Sequence, residues 1–200
     1  MSHETLAGDV QHEIEVKRSR FLALAHPVES VDEALAWIDQ TRIPDATHNC
    51  WALRVGETYR SNDDGEPGGS AGRPILAAID GSGLDSVAVL VVRWYGGTKL
   101  GVGGLIRAYG GAAAECLRQA PRRQVLEMLR ARIDTPFEYS GAVYNFCSQH
   151  QLSREAETHT SHGLSLTVSL VKSDLSALQD GLRDVTRGRA DLTPLDEPEQ

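Results

Sequence analysis

The spacing of apolar and polar positions changes several times along the first half of the chain, and each change marks an element. Residues 13–16 and 21–28 read as short strands. Ser30 and Glu33 frame a capping box, in which the serine hydroxyl accepts from an orphan helix amide and the glutamate reaches back. Behind it Val31, Ala34, Leu35 and Ile38 fall at helical spacing, so a helix runs to about Thr41 and ends before Pro44. Residues 47–55 return as a strand. The stretch 61–70 is rich in Gly, Pro, Asn and Asp, which favour tight turns over regular structure. A short helix over 74–79 follows. Residues 87–92, Val-Ala-Val-Leu-Val-Val, are apolar at every position, as suits a strand covered on both faces. A glycine-rich turn over 96–104 then leads into a helix from about 104 to 119, stopped by Pro121.

The second half has a simpler pattern. Residues 127–134 are strand-like, and 138–150 form a helix with Tyr139, Val143, Phe146 and Cys147 on one face. A weaker strand near 154–159 precedes 164–170, where Leu164, Leu166, Val168 and Leu170 alternate strictly. Ser173 or Asp174 caps a helix carrying Leu175, Leu178, Leu182 and Val185 as one stripe, with Gly188 as its stop. Residues 190–195 supply a last strand, and 196–200 read as a frayed acidic tail. The order βαββαβ is that of a ferredoxin-like domain. The expected organisation is therefore α+β with two domains, 1–124 and 125–200, and no internal repeat.

Composition narrows the function classes. The 200 residues carry a net charge of −8, which argues against coating nucleic acid by bulk electrostatics. The charge is unevenly placed, however. Residues 93–123 hold six basic side chains and one acid (+6 − 1 = +5), whereas 126–200 hold seven basic and twelve acidic ones (7 − 12 = −5). A basic patch on an acidic protein fits these numbers. The longest apolar run, 87–92, is far short of the roughly 20 residues of a membrane span. Met1–Glu4 contains no basic segment leading into an apolar one, so a cytoplasmic location without membrane contact is expected. Cys50, Cys116 and Cys147 are widely spaced and contain no Cys-x-x-Cys, which suits reduced core thiols and neither a zinc ribbon nor a redox motif.

The densest chemical feature is residues 93–111, with seven glycines in nineteen positions between a strand and a helix. Glycine serves where φ is positive or where another group must approach the backbone. A helix start offers unpaired amides to an anion. Arg93, Lys99 and Arg107 add positive charge, Trp94, Tyr95 and Tyr109 offer rings for stacking on a base, and Gly96, Gly97, Gly101, Gly103 and Gly104 shape the turn. Three readings stay open: close packing of strand, turn and helix; binding of an anion; and recognition of a protein. The run lacks the downstream ribose-binding acid of a dinucleotide fold and the Gly-Lys-Ser/Thr of a Walker loop.

A second surface is the acidic turn Asp63, Asp64, Gly65, Glu66 and Pro67, taken with Arg73 and His48. It is read as a structured turn that caps the next helix and pairs with Arg73 or Arg93, as a surface facing protein or RNA, or as a hard-cation site without the register of an EF-hand. His48 and Cys50 share a strand face, but no third group orients them, so no catalytic residue, metal or cofactor is expected. The pair Arg122 and Arg123 reads as a solvated linker.

These residues also carry a resemblance. Lys17-Arg18-Ser19-Arg20-Phe21, Asp45-Ala46-Thr47-His48-Asn49-Cys50, Asp63-Asp64-Gly65-Glu66-Pro67 with Ala71-Gly72-Arg73-Pro74, and Val91 through Gly97 with Leu100 through Tyr109 together resemble the bacterial YigZ branch of the IMPACT family. The resemblance implies a first domain with the fold shared by a small-subunit ribosomal protein and domain IV of elongation factor G. It implies a ferredoxin-like second domain similar to domain V of that factor. It also implies a non-enzymatic link to translation, with RNA, the ribosome or a translation-associated protein as partner. Eukaryotic members act on translation initiation through the activator of a starvation-sensing kinase, and they carry an additional N-terminal domain that has no counterpart in this sequence. The alternatives are a protein-interaction module without nucleic-acid binding and, from the kinases that share the first fold, a nucleotide-binding phosphotransferase.

Overall fold

The computed structural model describes residues 2–195; the tail read as acidic and frayed, 196–200, lies outside them. Two compact units emerge, one spanning His3–Val125 and the other residues 126–195 together with Ser2.

The first unit runs β1 (His3–Leu6), β2 (Val10–Val16), β3 (Ser19–Pro27), α1 (Val31–Thr41), β4 (His48–Val55), β5 (Thr58–Asn62), α2 (Gly72–Ser82), β6 (Val87–Trp94), α3 (Val102–Gln119) and β7 (Arg122–Val125). Five of its strands form an antiparallel sheet in the order β2-β3-β6-β4-β5. Strand β6 lies at the centre, and Val87 through Arg93 are all buried. Its side chains divide by parity, as a pleated strand requires. Val87, Val89 and Val91 enter the core beneath α2 and α3, with Phe21, Ile75, Ile79 and Tyr109. Ala88 enters a smaller core beneath α1, with Ala34, Ile38 and Leu53. The continuous apolar run of β6 thus reflects cover on both faces.

Helix α1 opens on Ser30, whose Oγ accepts from the Glu33 amide at 3.1 Å. The Glu33 carboxylate returns to the amide of Glu29 at 2.6 Å, one residue earlier than a standard capping box. Helices α2 and α3 each begin two residues before the sequence expectation, because their openings, Gly72-Arg73 and Val102-Gly103, carry no periodic apolar signal. Three strands escape the sequence pattern. β5 is exposed throughout, and β1 and β7 are four-residue partners in a separate two-stranded sheet. The Arg122-Arg123 pair is consequently a strand and no linker: Arg122 bonds Glu4 at 3.2 Å across that sheet.

The second unit runs β8 (Met128–Thr135), a 3₁₀ turn (Phe137–Tyr139), α4 (Ser140–Gln149), β9 (Ser153–Thr160), β10 (Gly163–Val171), a second 3₁₀ turn (Lys172–Asp174), α5 (Leu175–Thr186) and β11 (Asp191–Pro194). Its antiparallel sheet has the order β11-β8-β10-β9, the ferredoxin-like 4-1-3-2 arrangement of a βαββαβ chain. The core lies between the sheet and the two helices, from Ile133, Leu166 and Val168 to Phe146, Leu178 and Leu182.

Candidate functional site

At one end of the five-stranded sheet, strand register places three chemically distinct residues in a row. Arg93 on β6 lies opposite Phe21 on β3 and His48 on β4, all on the face covered by α2 and α3. Directly opposed residues have Cβ atoms about 5 Å apart, so their side chains share one environment. The Arg93 guanidinium lies 5.5 Å from the Phe21 ring and 5.6 Å from the ring of Tyr95. Only 5% of Arg93 is exposed.

A buried cation requires a partner, and the acidic turn provides it. Glu66 inserts its carboxylate under the sheet end, where Oε1 accepts from Arg93 Nη1 at 2.6 Å and from the Tyr109 hydroxyl at 2.7 Å. His48 Nε2 stands 3.8 Å from the same oxygen. Burial, followed by the neighbouring Cys50 and Glu66, pushes the Tyr109 phenol well above its ordinary range, so it remains a donor to the carboxylate. Ser19, also buried, accepts from Arg93 Nη2 at 3.4 Å and from the amide of Gly96 at 3.1 Å. The acidic turn and the glycine-rich turn therefore form one composite structure.

The other acids of the turn are also committed within the fold. Asp63 accepts from the amides of Gly69, Ala71 and Gly72 at 2.7, 2.9 and 2.8 Å. It thereby caps α2, whose N-cap position, Ala71, has no side chain to do so. Burial alone would raise the Asp63 carboxyl, but the three amides and the nearby Arg73 outweigh it and hold it below its usual value. Asp64 accepts from Arg42 and from the Asn49 amide, both at 2.6 Å, and its carbonyl oxygen accepts from His48 Nδ1 at 2.8 Å. Gly65 adopts φ +85°, Pro67 is exposed beside it, and Arg73 projects to solvent from the first turn of α2. Cys50 donates to the Asp63 carbonyl at 3.0 Å, and burial pushes its thiol up to about 12. A neutral, inward-facing thiol is no nucleophile, so His48 and Cys50 form no dyad. Among the described residues no group of His, Cys, Asp and Glu side chains is placed to hold a metal ion.

The glycines of the turn have separate causes. At Gly96 a Cβ would lie 2.0 Å from the carbonyl of Arg18, so the backbone of the β2–β3 hairpin occupies the side-chain position. Gly97 and Gly101 have φ of +82° and +69°, where other residues are strained. Gly103 and Gly104 lie in α3 with ordinary φ, so neither is a left-handed position.

Two further expectations change. Arg93 and Tyr109, grouped in the sequence with residues facing a ligand, are buried in the ion-pair network; Tyr109 is 0% exposed and packs edge-on to Phe21 at 5.1 Å. Trp94 points to the opposite face, half-buried, with Arg20 stacked over it at 4.6 Å. Tyr95 (47% exposed), Lys99 and Arg107 do face solvent. Sequence reasoning omitted Ser19, Arg42 and Asn49 from the site. Ser19 and Asn49 stand in motifs that carry the family resemblance, which was the available signal; Arg42 carries none.

Between the two turns lies a groove of about 400 Å³, with Glu66 and Arg93 in its buried part and Pro67, Tyr95, Lys99, Leu100, Val102 and Leu105 around them. Lys99 at the groove, and Lys17 and Arg107 outside it, are exposed and form no ion pair among the described residues, and Arg18 donates only to the Thr98 hydroxyl at 3.1 Å. The acids of the turn, Asp63, Asp64 and Glu66, are spent on the fold, whereas these cations are not.

Comparison with known proteins places this geometry. The model of the Impact N-terminal domain matches residues 17–117, which contain every residue of the network. An IMPACT family member of Thermus thermophilus is 46% identical over 175 residues, covering 87% of this chain and 97% of its own length. The family member YigZ of Escherichia coli is 32% identical, covering 92% and 93%. Rat Protein IMPACT is 37% identical over 95 residues, 42% of this chain and 29% of its own. A crystal structure described as a hypothetical protein is 30% identical and superposes with a TM-score of 0.68, covering 98% of both chains. With half its length matched by the family model and near-complete relatives above 30% identity, the chain belongs to the IMPACT family.

Proposed function

We propose that the protein is a non-enzymatic, translation-linked factor that binds RNA, in the context of the ribosome, through the cationic end of its first unit. The observation that carries this reading is the asymmetry of charge satisfaction. Asp63, Asp64 and Glu66 are neutralised by amides, Arg42 and Arg93, while Lys17, Arg18, Lys99 and Arg107 remain available around the turn. Phosphate contacts from such side chains release counterions and supply affinity without requiring a reaction centre. The family's likeness to elongation-factor domains supports translation as the setting. The high-lying Cys50 thiol and the internally paired Glu66 support the absence of a catalytic group.

The test is binding to ribosomes and to ribosomal RNA fragments over a salt series. Replacing two phosphate-contacting cations, as in Lys99→Glu with Arg107→Glu, lowers the slope of log affinity against log salt by about 2. Folding stays unchanged, since both side chains are exposed and unpaired. Absence of binding even at about 50 mM salt, where phosphate contacts are strong, overturns the proposal.

A protein-docking reading has its own observation. Val102 and Ile106, one turn apart on α3, are 52% and 42% exposed beside the same groove. A stoichiometric partner retained after nuclease treatment and lost in Val102→Asp with Ile106→Asp would favour it.

A further inference from the structure

We propose that the two-residue tip of the β2–β3 hairpin, Lys17-Arg18, is a rigid phosphate-contacting probe that recognises double-helical RNA by its backbone. The inference rests on the RNA-binding reading above and specifies which element makes the contact and which form of RNA it selects.

The backbone of the tip carries the first observation. Val16 and Ser19 pair across the hairpin, so Lys17 and Arg18 are the whole of its loop. Their φ angles are +47° and +68°, both in the left-handed region. A two-residue turn with φ positive at both positions selects Asn-Gly, Asp-Gly or Gly-Gly, because a Cβ crowds the following carbonyl there. The β4–β5 hairpin follows that preference: Val55 pairs with Thr58, and Gly56 takes the position at φ +56°. Among the described residues, Lys17 and Arg18 are the only two consecutive non-glycine residues with such backbone angles. A local choice that contradicts turn chemistry points to a use of the side chains outside the fold.

The side chains carry the second observation. Both are exposed, and neither forms an ion pair among the described residues. Arg18 donates to the neutral hydroxyl of Thr98 at 3.1 Å, which leaves its charge unmatched. On β2, Glu13 is held by Arg20 through two bonds of 3.1 Å. Glu15 shares the face of Glu13, turned away from the core into which Ile14 and Val16 pack.

The tip is also fixed in place. The carbonyl group of Arg18 lies so close to Gly96 that a Cβ there would approach it to 2.0 Å. Ser19 Oγ accepts from the Gly96 amide at 3.1 Å, and the bond from Arg18 to Thr98 adds a third tie, beside Lys99. Lys17, Arg18 and Lys99 therefore stand on one preorganised support. The adjacent rings are already engaged by cations: Arg20 lies 4.6 Å from the Trp94 ring, and Arg93 lies 5.6 Å from that of Tyr95. What the tip offers is positive charge in a fixed pattern. An RNA duplex presents phosphates at fixed spacing with its bases stacked inside, and is recognised chiefly by shape and backbone. A single strand must first be ordered to meet a rigid support, which costs affinity.

The test measures thermal unfolding and, by fluorescence anisotropy, binding to a short RNA duplex of mixed sequence and to a single strand of equal length. Lys17→Asn combined with Arg18→Gly installs the preferred turn and removes both charges. It is expected to raise the thermal midpoint by about 2–4 °C. Its affinity for the duplex is expected to fall roughly 10- to 100-fold at about 0.1 M salt, with the salt slope lowered by about 2. Lys17→Gln with Arg18→Gln keeps the strained backbone and loses the same affinity at an unchanged midpoint, whereas Lys17→Arg with Arg18→Lys retains binding. Undiminished duplex binding by the Asn-Gly variant, with binding lost in Lys99→Glu/Arg107→Glu, overturns the inference and leaves the RNA-binding reading standing. So does a parent chain that binds the single strand as tightly as the duplex. A lower midpoint in the Asn-Gly variant assigns the pair to the fold and overturns the inference as well. Binding of neither RNA by the parent chain overturns both readings.

Discussion

Glu66 and Arg93 depend on each other more than either depends on solvent. Each is at least nine-tenths buried in its side chain, and the pair also holds the Tyr109 hydroxyl. Breaking a buried pair strands a charge, so Glu66→Ala is expected to lose about 3–5 kcal/mol in urea unfolding. Adding Arg93→Met is expected to restore much of that loss, because the desolvated cation disappears. A double variant no more stable than Glu66→Ala would show that packing of the turn, and not charge, holds this end together. Neighbouring glycines separate in the same way. Gly96→Ala places a methyl against the Arg18 carbonyl and is expected to cost about 1–3 kcal/mol. At Gly103 the nearest atom to an added Cβ is the Arg107 guanidinium at 3.7 Å, and alanine there is expected to be neutral or to stabilise α3 by up to about 1 kcal/mol. Equal losses in calorimetry would contradict this division.

Helix α2 illustrates how an element is completed from a distance. Its own N-cap is an alanine, and Asp63, eight and nine residues before the amides of Ala71 and Gly72, supplies the missing acceptor. Asp63→Asn keeps one acceptor oxygen but sets an NH2 donor against the Gly69 amide, and is expected to lose about 1–2 kcal/mol at neutral pH. The pH dependence has a definite sign. The folded carboxyl lies below its unfolded value, so its stabilisation is complete above that unfolded value, about 3.9, and is lost as pH falls through the lower folded value. The gap in urea midpoint between the parent and Asp63→Asn should therefore narrow below about pH 4. A gap constant down to strong acid would remove the charge from the account.

Across the molecule, the cores of the two units share no residue. Phe21, Ile75, Tyr109 and their neighbours form one, with a satellite under α1, and Ile133, Phe146, Leu166 and Leu182 form another. Strand β7 closes the first unit by pairing with β1. Residues 3–125 alone are accordingly expected to unfold in one cooperative transition with circular dichroism characteristic of mixed helix and sheet. A fragment without a melting transition would show that the first unit depends on the second. Among the described residues no helix is long and apolar enough to cross a membrane.

Periodicity alone determined much of this protein. The helix behind Ser30, the doubly covered strand β6 and, apart from the fully exposed β9, the elements of the βαββαβ second half follow from spacing. β1, β5 and β7 were not legible, since each is short or exposed and stabilised by a partner strand distant in the sequence. The site divides in the same way. Its two turns were evident in composition, because glycine, proline and aspartate are required locally by turn geometry. That Glu66 reaches Arg93 and Tyr109 across 27 and 43 residues was a matter of strand register and of how α3 packs on the sheet. So was the division of the cations. Arg93 turns inward and is neutralised, whereas Lys99 and Arg107 are left to solvent, because only the three-dimensional fold determines which positive charges meet a carboxylate and which remain for a ligand.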